Sequence, residues 1–120
     1  MFGMPRSIAA AAIALLAACS SPSPQEAVQN QELATLTPLK QKYQDVVMGF
    51  DFKPNETLVV SLDLNNYNGM GDDDQDAMKK VIAATWRKAW QQAHPGQHAT
   101  THLKLMDFIG RTVATEVVKT

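Results

Sequence analysis

Two stretches either side of a short turn alternate apolar and polar side chains, and that alternation constrains this chain more than any other feature. In "DVVMGFDF" the apolar residues are Val46, Met48, Phe50 and Phe52, and in "LVVSLDLN" they are Leu58, Val60, Leu62 and Leu64. A period of two is the strand repeat, so the pattern predicts a β-hairpin with one buried face. The turn between them is "KPNET", where the fixed φ of Pro54 suits the second position of a type I or II turn. A sheet face of this kind must be covered, and the chain offers one long candidate. From about Asp73 to Ala93, Met78, Val81, Ile82, Thr85, Trp86, Ala89 and Ala93 fall on one half of a helical wheel. Lys80, Arg87, Lys88 and Gln91 fall on the other, and Pro95 with Gly96 ends the helix.

After the helix, "DFIGR" reads as a type I turn from Asp107 with Gly110 in the left-handed bulge position. Counting back from that turn pairs Leu105 with Val113, Leu103 with Thr115 and Thr101 with Val117, and turns the odd-numbered residues to the core. His102 then faces Glu116 on the open side. The expectation is an α+β, two-layer ββαββ domain over residues 40–120, with a four-stranded, largely antiparallel sheet covered by one amphipathic helix.

Composition narrows the function classes. Formal charge is −1 with both signs interspersed, which lacks the basic footprint needed to neutralise phosphates, so nucleic acid is not expected as a partner. One cysteine, Cys19, is present, and the domain is predicted to fold without a disulfide or a thiol ligand.

The chain begins with a positive charge at Arg6 and an uncharged run from Ile8 to Ala18. A bilayer span needs roughly 20 apolar residues, whereas a secretory signal core needs about 7 to 15. Residues 1–18 are therefore read as a signal peptide. The sequence "LLAAC", Leu15 to Cys19, resembles the lipobox of bacterial lipoproteins, with Leu16, Ala17 and Ala18 before Cys19. The resemblance implies that Cys19 receives diacylglycerol, that a peptidase cuts before it, and that the new N-terminus is acylated with a chain such as palmitate. Ser20 in place of Asp implies sorting to the outer membrane, facing the periplasm. Residues 19–39, rich in Ser, Pro, Gln and Asn at their start, are read as the lipidated Cys and a flexible tether.

The stretch "NNYNGMGDDDQDAM", Asn65 to Met78, invites a reading as a cation loop. Placing Gly69 at the sixth position of a calcium loop puts Leu64 and Gln75 at the two anchoring positions, where carboxylates are required. A helix start is the better account, because Asp72, Asp73 and Asp74 would face unpaired N–H groups and the positive end of the helix dipole. His94, His98 and His102 recur every four residues, but Pro95 and Gly96 break the helix that would align them. On a strand, His98 and His102 would lie about 13 Å apart, too far to share zinc. Ser61 has no glycine elbow around it. Trp90 lies at the border of the buried half beside Arg87, and these two residues form the candidate partner contact.

No catalytic constellation, metal centre or cofactor motif is predicted. The expected function is a membrane-anchored envelope lipoprotein acting as a non-catalytic interaction or accessory module for a protein, glycan or small ligand. The competing reading is a small periplasmic enzyme, or a cation-dependent protein, that uses the carboxylates of Asn65 to Asp76.

Overall fold

The computed structural model describes residues 23–120. Residues 1–18, read as a signal peptide, and Cys19, read as the lipidation site, lie outside the described residues. Four helices and four strands follow in the order α1 (Pro24–Leu36), α2 (Pro38–Lys42), β1 (Val47–Lys53), β2 (Thr57–Leu62), α3 (Leu64–Gly69), α4 (Asp72–Ala93), β3 (Thr100–Asp107) and β4 (Thr112–Lys119). The class is α+β, and the strands form one four-stranded sheet in the order β1-β2-β3-β4.

The sheet is mixed. β1–β2 and β3–β4 are antiparallel hairpins, whereas the central pair β2–β3 is parallel. The cause is the crossover: α4 carries the chain back along the sheet, so β3 must start at the end where β2 started. The core is formed by Leu58, Val60 and Leu62 of β2, Leu103 and Leu105 of β3, and Met78, Ile82, Trp86, Ala89 and Trp90 of α4, all buried.

Each hairpin carries one inserted residue, which breaks the expected alternation in the first and shifts the expected register in the second. In β1 an extra residue between Val47 and Gly49 pushes Met48 out, leaving it 54% exposed while Val46 and Val47 are buried. In β4 the turn forms as expected, with Gly110 at φ 91°, but a bulge follows. Met106 pairs with Thr112, and Leu105 then pairs with Ala114, so Val113 is the extra residue. From there the pairs are Leu103 with Glu116 and Thr101 with Val118. Val118 is consequently buried and Val117 lies outward at 62% exposure. A strand's side-chain period is two, so one inserted residue exchanges its faces.

The turn itself is locked by Asp107, which is 4% exposed. Its Oδ1 accepts from the backbone N–H of Ile109 at 3.2 Å and of Arg111 at 2.8 Å, and its Oδ2 accepts from Arg111 Nε at 2.7 Å. Burial alone would raise this carboxyl, but the hydrogen bonds from Arg111, with its charge, hold it below the usual carboxylate range.

A single covering helix is not what forms. Residues 24–36, expected to belong to the tether, are the helix α1, capped by Ser23 Oγ accepting from Glu26 N at 3.2 Å. Pro24 sits at the first helical position, where its missing N–H is no loss. α1 lies against α4, with Gln31 Nε2 donating to Gln92 O at 3.1 Å and Thr35 Oγ1 to Gln92 Oε1 at 3.0 Å. Leu36 and Leu39 are buried in the core. The folded unit thus begins well before residue 40. The low apolar content of the segment hid this, since few of its side chains are needed for docking: Glu32 and Leu36 are its buried residues.

Candidate functional site

The Asn65 to Met78 stretch divides into two helix starts. Asp63 caps α3, its Oδ1 accepting from Asn66 N at 2.9 Å, and Asn66 Nδ2 donates to Asp45 O at 2.6 Å. Gly71 precedes α4, whose first turn carries Asp72, Asp73 and Asp74, all exposed. Gln75 Nε2 ties the two helices by donating to Tyr67 O at 2.8 Å. Among the described residues, no group of three or more His, Cys, Asp or Glu side chains is placed to hold a metal ion. Millimolar calcium or zinc is expected to leave the melting temperature within about a degree of its starting value. A site filled to 100 times its Kd would add about 2.7 kcal/mol, and a shift of several degrees, lost on Asp72→Asn or Asp74→Asn, would restore the cation reading.

The histidines do not converge. His94 caps the end of α4, His98 Nδ1 lies 3.2 Å from Thr120 O, and His102 sits half-buried within β3. Arg87 is exposed and its Nε donates to Lys119 O at 3.0 Å, linking α4 to the last strand. Trp90 is 3% exposed and is not the surface contact its wheel position suggested. Its ring belongs to the core cluster, with Nε1 donating to Glu56 Oε2 at 2.7 Å and one face stacked on His94.

What does come together is a cleft of about 410 Å³ between the first half of α1, the β1–β2 turn and the end of α4. Glu32, Glu56, Phe52, Trp86 and His94 line it. Glu32 is 4% exposed, and among the described residues its Oε2 has no hydrogen-bond partner. Burial raises its carboxyl from 4.5 to about 7, with the Glu56 carboxylate adding to the rise and His94 opposing it. Trp86 is 1% exposed, its Nε1 likewise lacks a partner, and its ring lies 6.2 Å from that of Phe52. Buried polar atoms are almost always paired, so two orphans lining one cleft are unusual.

Glu56 arrives there at a cost. Asn55 and Glu56 both adopt positive φ, 64° and 53°. Asn tolerates that region, whereas for Glu it costs roughly 1 kcal/mol. Two contacts hold the residue in place: its carbonyl accepts from His102 N at 2.9 Å, and its Oε2 accepts from Trp90 Nε1 at 2.7 Å. Trp90 in turn stacks on His94 at 4.1 Å between ring centroids, and His94 Nδ1 lies 2.9 Å from Trp90 O. The strained turn, Trp90 and His94 therefore form one connected wall.

The sequence reading missed this group, although a signal was present. Val28, Glu32 and Leu36 follow one another at intervals of four, which places a glutamate in the middle of an apolar helical stripe. A second groove, about 630 Å³, runs over the open sheet face past Val59, His102, Lys104 and Val117. Its ionisable side chains are all at least partly exposed, and it lacks the orphaned polar atoms of the first.

No protein-family model matches the chain, and no curated protein and no solved structure matches it either.

Proposed function

We propose that the protein is a lipid-anchored accessory module of the bacterial cell envelope, held at the outer membrane through Cys19, which binds a ligand in the cleft beside Glu32. The observation that carries the binding role is the pair of orphaned, buried polar groups lining that cleft. The anchoring role rests on the lipobox resemblance at Leu16 to Cys19. Pro24 and Gln25 line the cleft beside the β1–β2 turn, so α1 starts at the cleft's end of the domain. Only the short segment from Cys19 to Ser23 separates that end from the lipid, a reach of at most about 14 Å at full extension. The cleft is then held near the membrane surface. The competing enzymatic reading gains nothing from Asp72 to Asp74, which lie exposed in the first turn of α4.

Cys19→Ser should abolish acylation and release the protein from membranes, because lipid chains contribute about 0.8 kcal/mol per buried CH₂ and the described helices include none long and apolar enough to cross a bilayer. Fatty-acid labelling and fractionation after a high-salt wash check this, and a Ser variant that stays with membranes removes the anchor. The binding half is tested by a photo-crosslinking residue at Gln29, beside the cleft, compared with one at exposed Lys88. Adducts formed in the intact envelope from Gln29 and not from Lys88 support the cleft. Equal labelling from both positions removes it.

A further inference from the structure

Resting on the cleft as the ligand site, we infer that its ligand carries a primary ammonium group, seated against Glu32 and Glu56 with its stem beside Phe52. The argument is one of unmet charge. Glu32 is buried, its Oε2 accepts no hydrogen bond from the described residues, and Glu56 lines the same cleft and adds to the rise of its carboxyl. Lys53, which lines the cleft, is 3.0 Å from Asp51, and His94 Nδ1 is turned to Trp90 O at 2.9 Å. A carboxylate in this position either takes up a proton or waits for a cation. A bare metal ion is a poor candidate, since no three ligating side chains converge among the described residues. An organic ammonium needs only one or two acceptors, and its apolar stem has the half-buried Phe52 on the cleft wall to lie against.

Proton linkage distinguishes this ligand from a neutral one. At pH 6.5 Glu32 is mostly protonated, with a value of about 7, and a bound ammonium must expel that proton. A neutral ligand expels none. Glu56 and His94 are the other titratable groups facing Glu32, and Lys53 is the remaining charge on the cleft wall.

The test is calorimetric titration of the protein, carrying Cys19→Ser for solubility, with benzylammonium and with benzyl alcohol, in buffers of different ionisation enthalpy. Benzylammonium is expected to bind with release of most of one proton at pH 6.5 and almost none at pH 8.5. Glu32→Gln should weaken it by about tenfold or more at pH 8.5, since a charge-assisted hydrogen bond is lost, while circular dichroism shows the domain still folded. Vesicles of phosphatidylethanolamine, set against phosphatidylcholine, tell a lipid headgroup amine from a free one. Tighter binding of the alcohol, or amine binding without proton release, overturns the ammonium assignment and leaves the cleft as a site for another ligand. Failure of both probes to bind overturns it as well, and the Gln29 crosslinking then decides separately whether the cleft binds anything.

Discussion

Trp86→Ala should leave the domain largely unfolded. The indole is 1% exposed at the centre of the buried stripe of α4, with Phe52 of the sheet beside it. Removing a buried Trp costs about 3 to 5 kcal/mol, against a total stability of about 5 to 15 kcal/mol for a domain of ordinary size and less for one this small. Trp90→Ala should cost nearly as much. Its ring is 3% exposed, and it also supplies the donor that holds Glu56 at 2.7 Å and the face on which His94 stacks. Trp90→Phe separates these contributions. It keeps most of the buried area and deletes the indole N–H, leaving a Glu56 carboxylate that is exposed enough to be solvated. A loss of about 1 kcal/mol is expected there. Urea unfolding of the three variants decides the matter, and a Trp90→Ala domain as stable as the parent would mean that the Trp90 ring is not packed into the core.

The two tryptophans also mark where sequence reasoning stops. The amphipathic stripe of α4 was legible because Met78, Ile82, Trp86 and Ala89 repeat at helical spacing, and each is buried. Trp90 joins them with Glu56 and His94 as its side-chain contacts, and α1 was hidden because its segment carries few apolar residues and follows a Pro-rich, polar stretch. Local composition argued for a tether, and tertiary contact with α4 overrode it. The strands were legible as strands, but the bulges at Met48 and Val113 were not. Nothing in "VVMGF" or "RTVATE" states which residue will be left over, and the answer is set by how the flanking segments pack. The turn chemistry fared better, since Asp107 and Gly110 each do what their side chains, or lack of one, allow.

The candidate site was hidden for a related reason. Its carboxylates come from a helix and a turn far apart in sequence, and neither belongs to a motif. Asp-rich "GDDDQD" attracted notice because its charges are adjacent. Adjacent charges at a helix start are solvated and energetically ordinary, whereas the single Glu32, placed in an apolar stripe, is the group whose chemistry the fold alters.

That alteration makes Glu32 the source of a measurable pH dependence. Burial first, then Glu56, raises its carboxyl from 4.5 to about 7, with His94 opposing. The folded state therefore holds a proton that the unfolded chain releases between these values. Stability is greatest with Glu32 protonated and falls as pH rises from about 4.5 to about 7, after which the loss is complete. The shift corresponds to roughly 3 kcal/mol. Asp107, held below its ordinary range, loses its stabilising charge only in more acid solution, so it leaves this window undisturbed. Glu32→Gln removes the ionisation and should flatten the profile. At pH 8 the variant should exceed the parent by about 1 to 2 kcal/mol, since a buried amide with few partners gives back part of the gain. Chemical unfolding of parent and variant at pH 5, 6, 7 and 8 measures the difference directly. The parent is expected to weaken between pH 5 and 7 relative to Glu32→Gln and to level off by pH 8; parallel profiles would mean that Glu32 reaches solvent in the folded state, and both the pH dependence and the unmet charge in the cleft would be lost together.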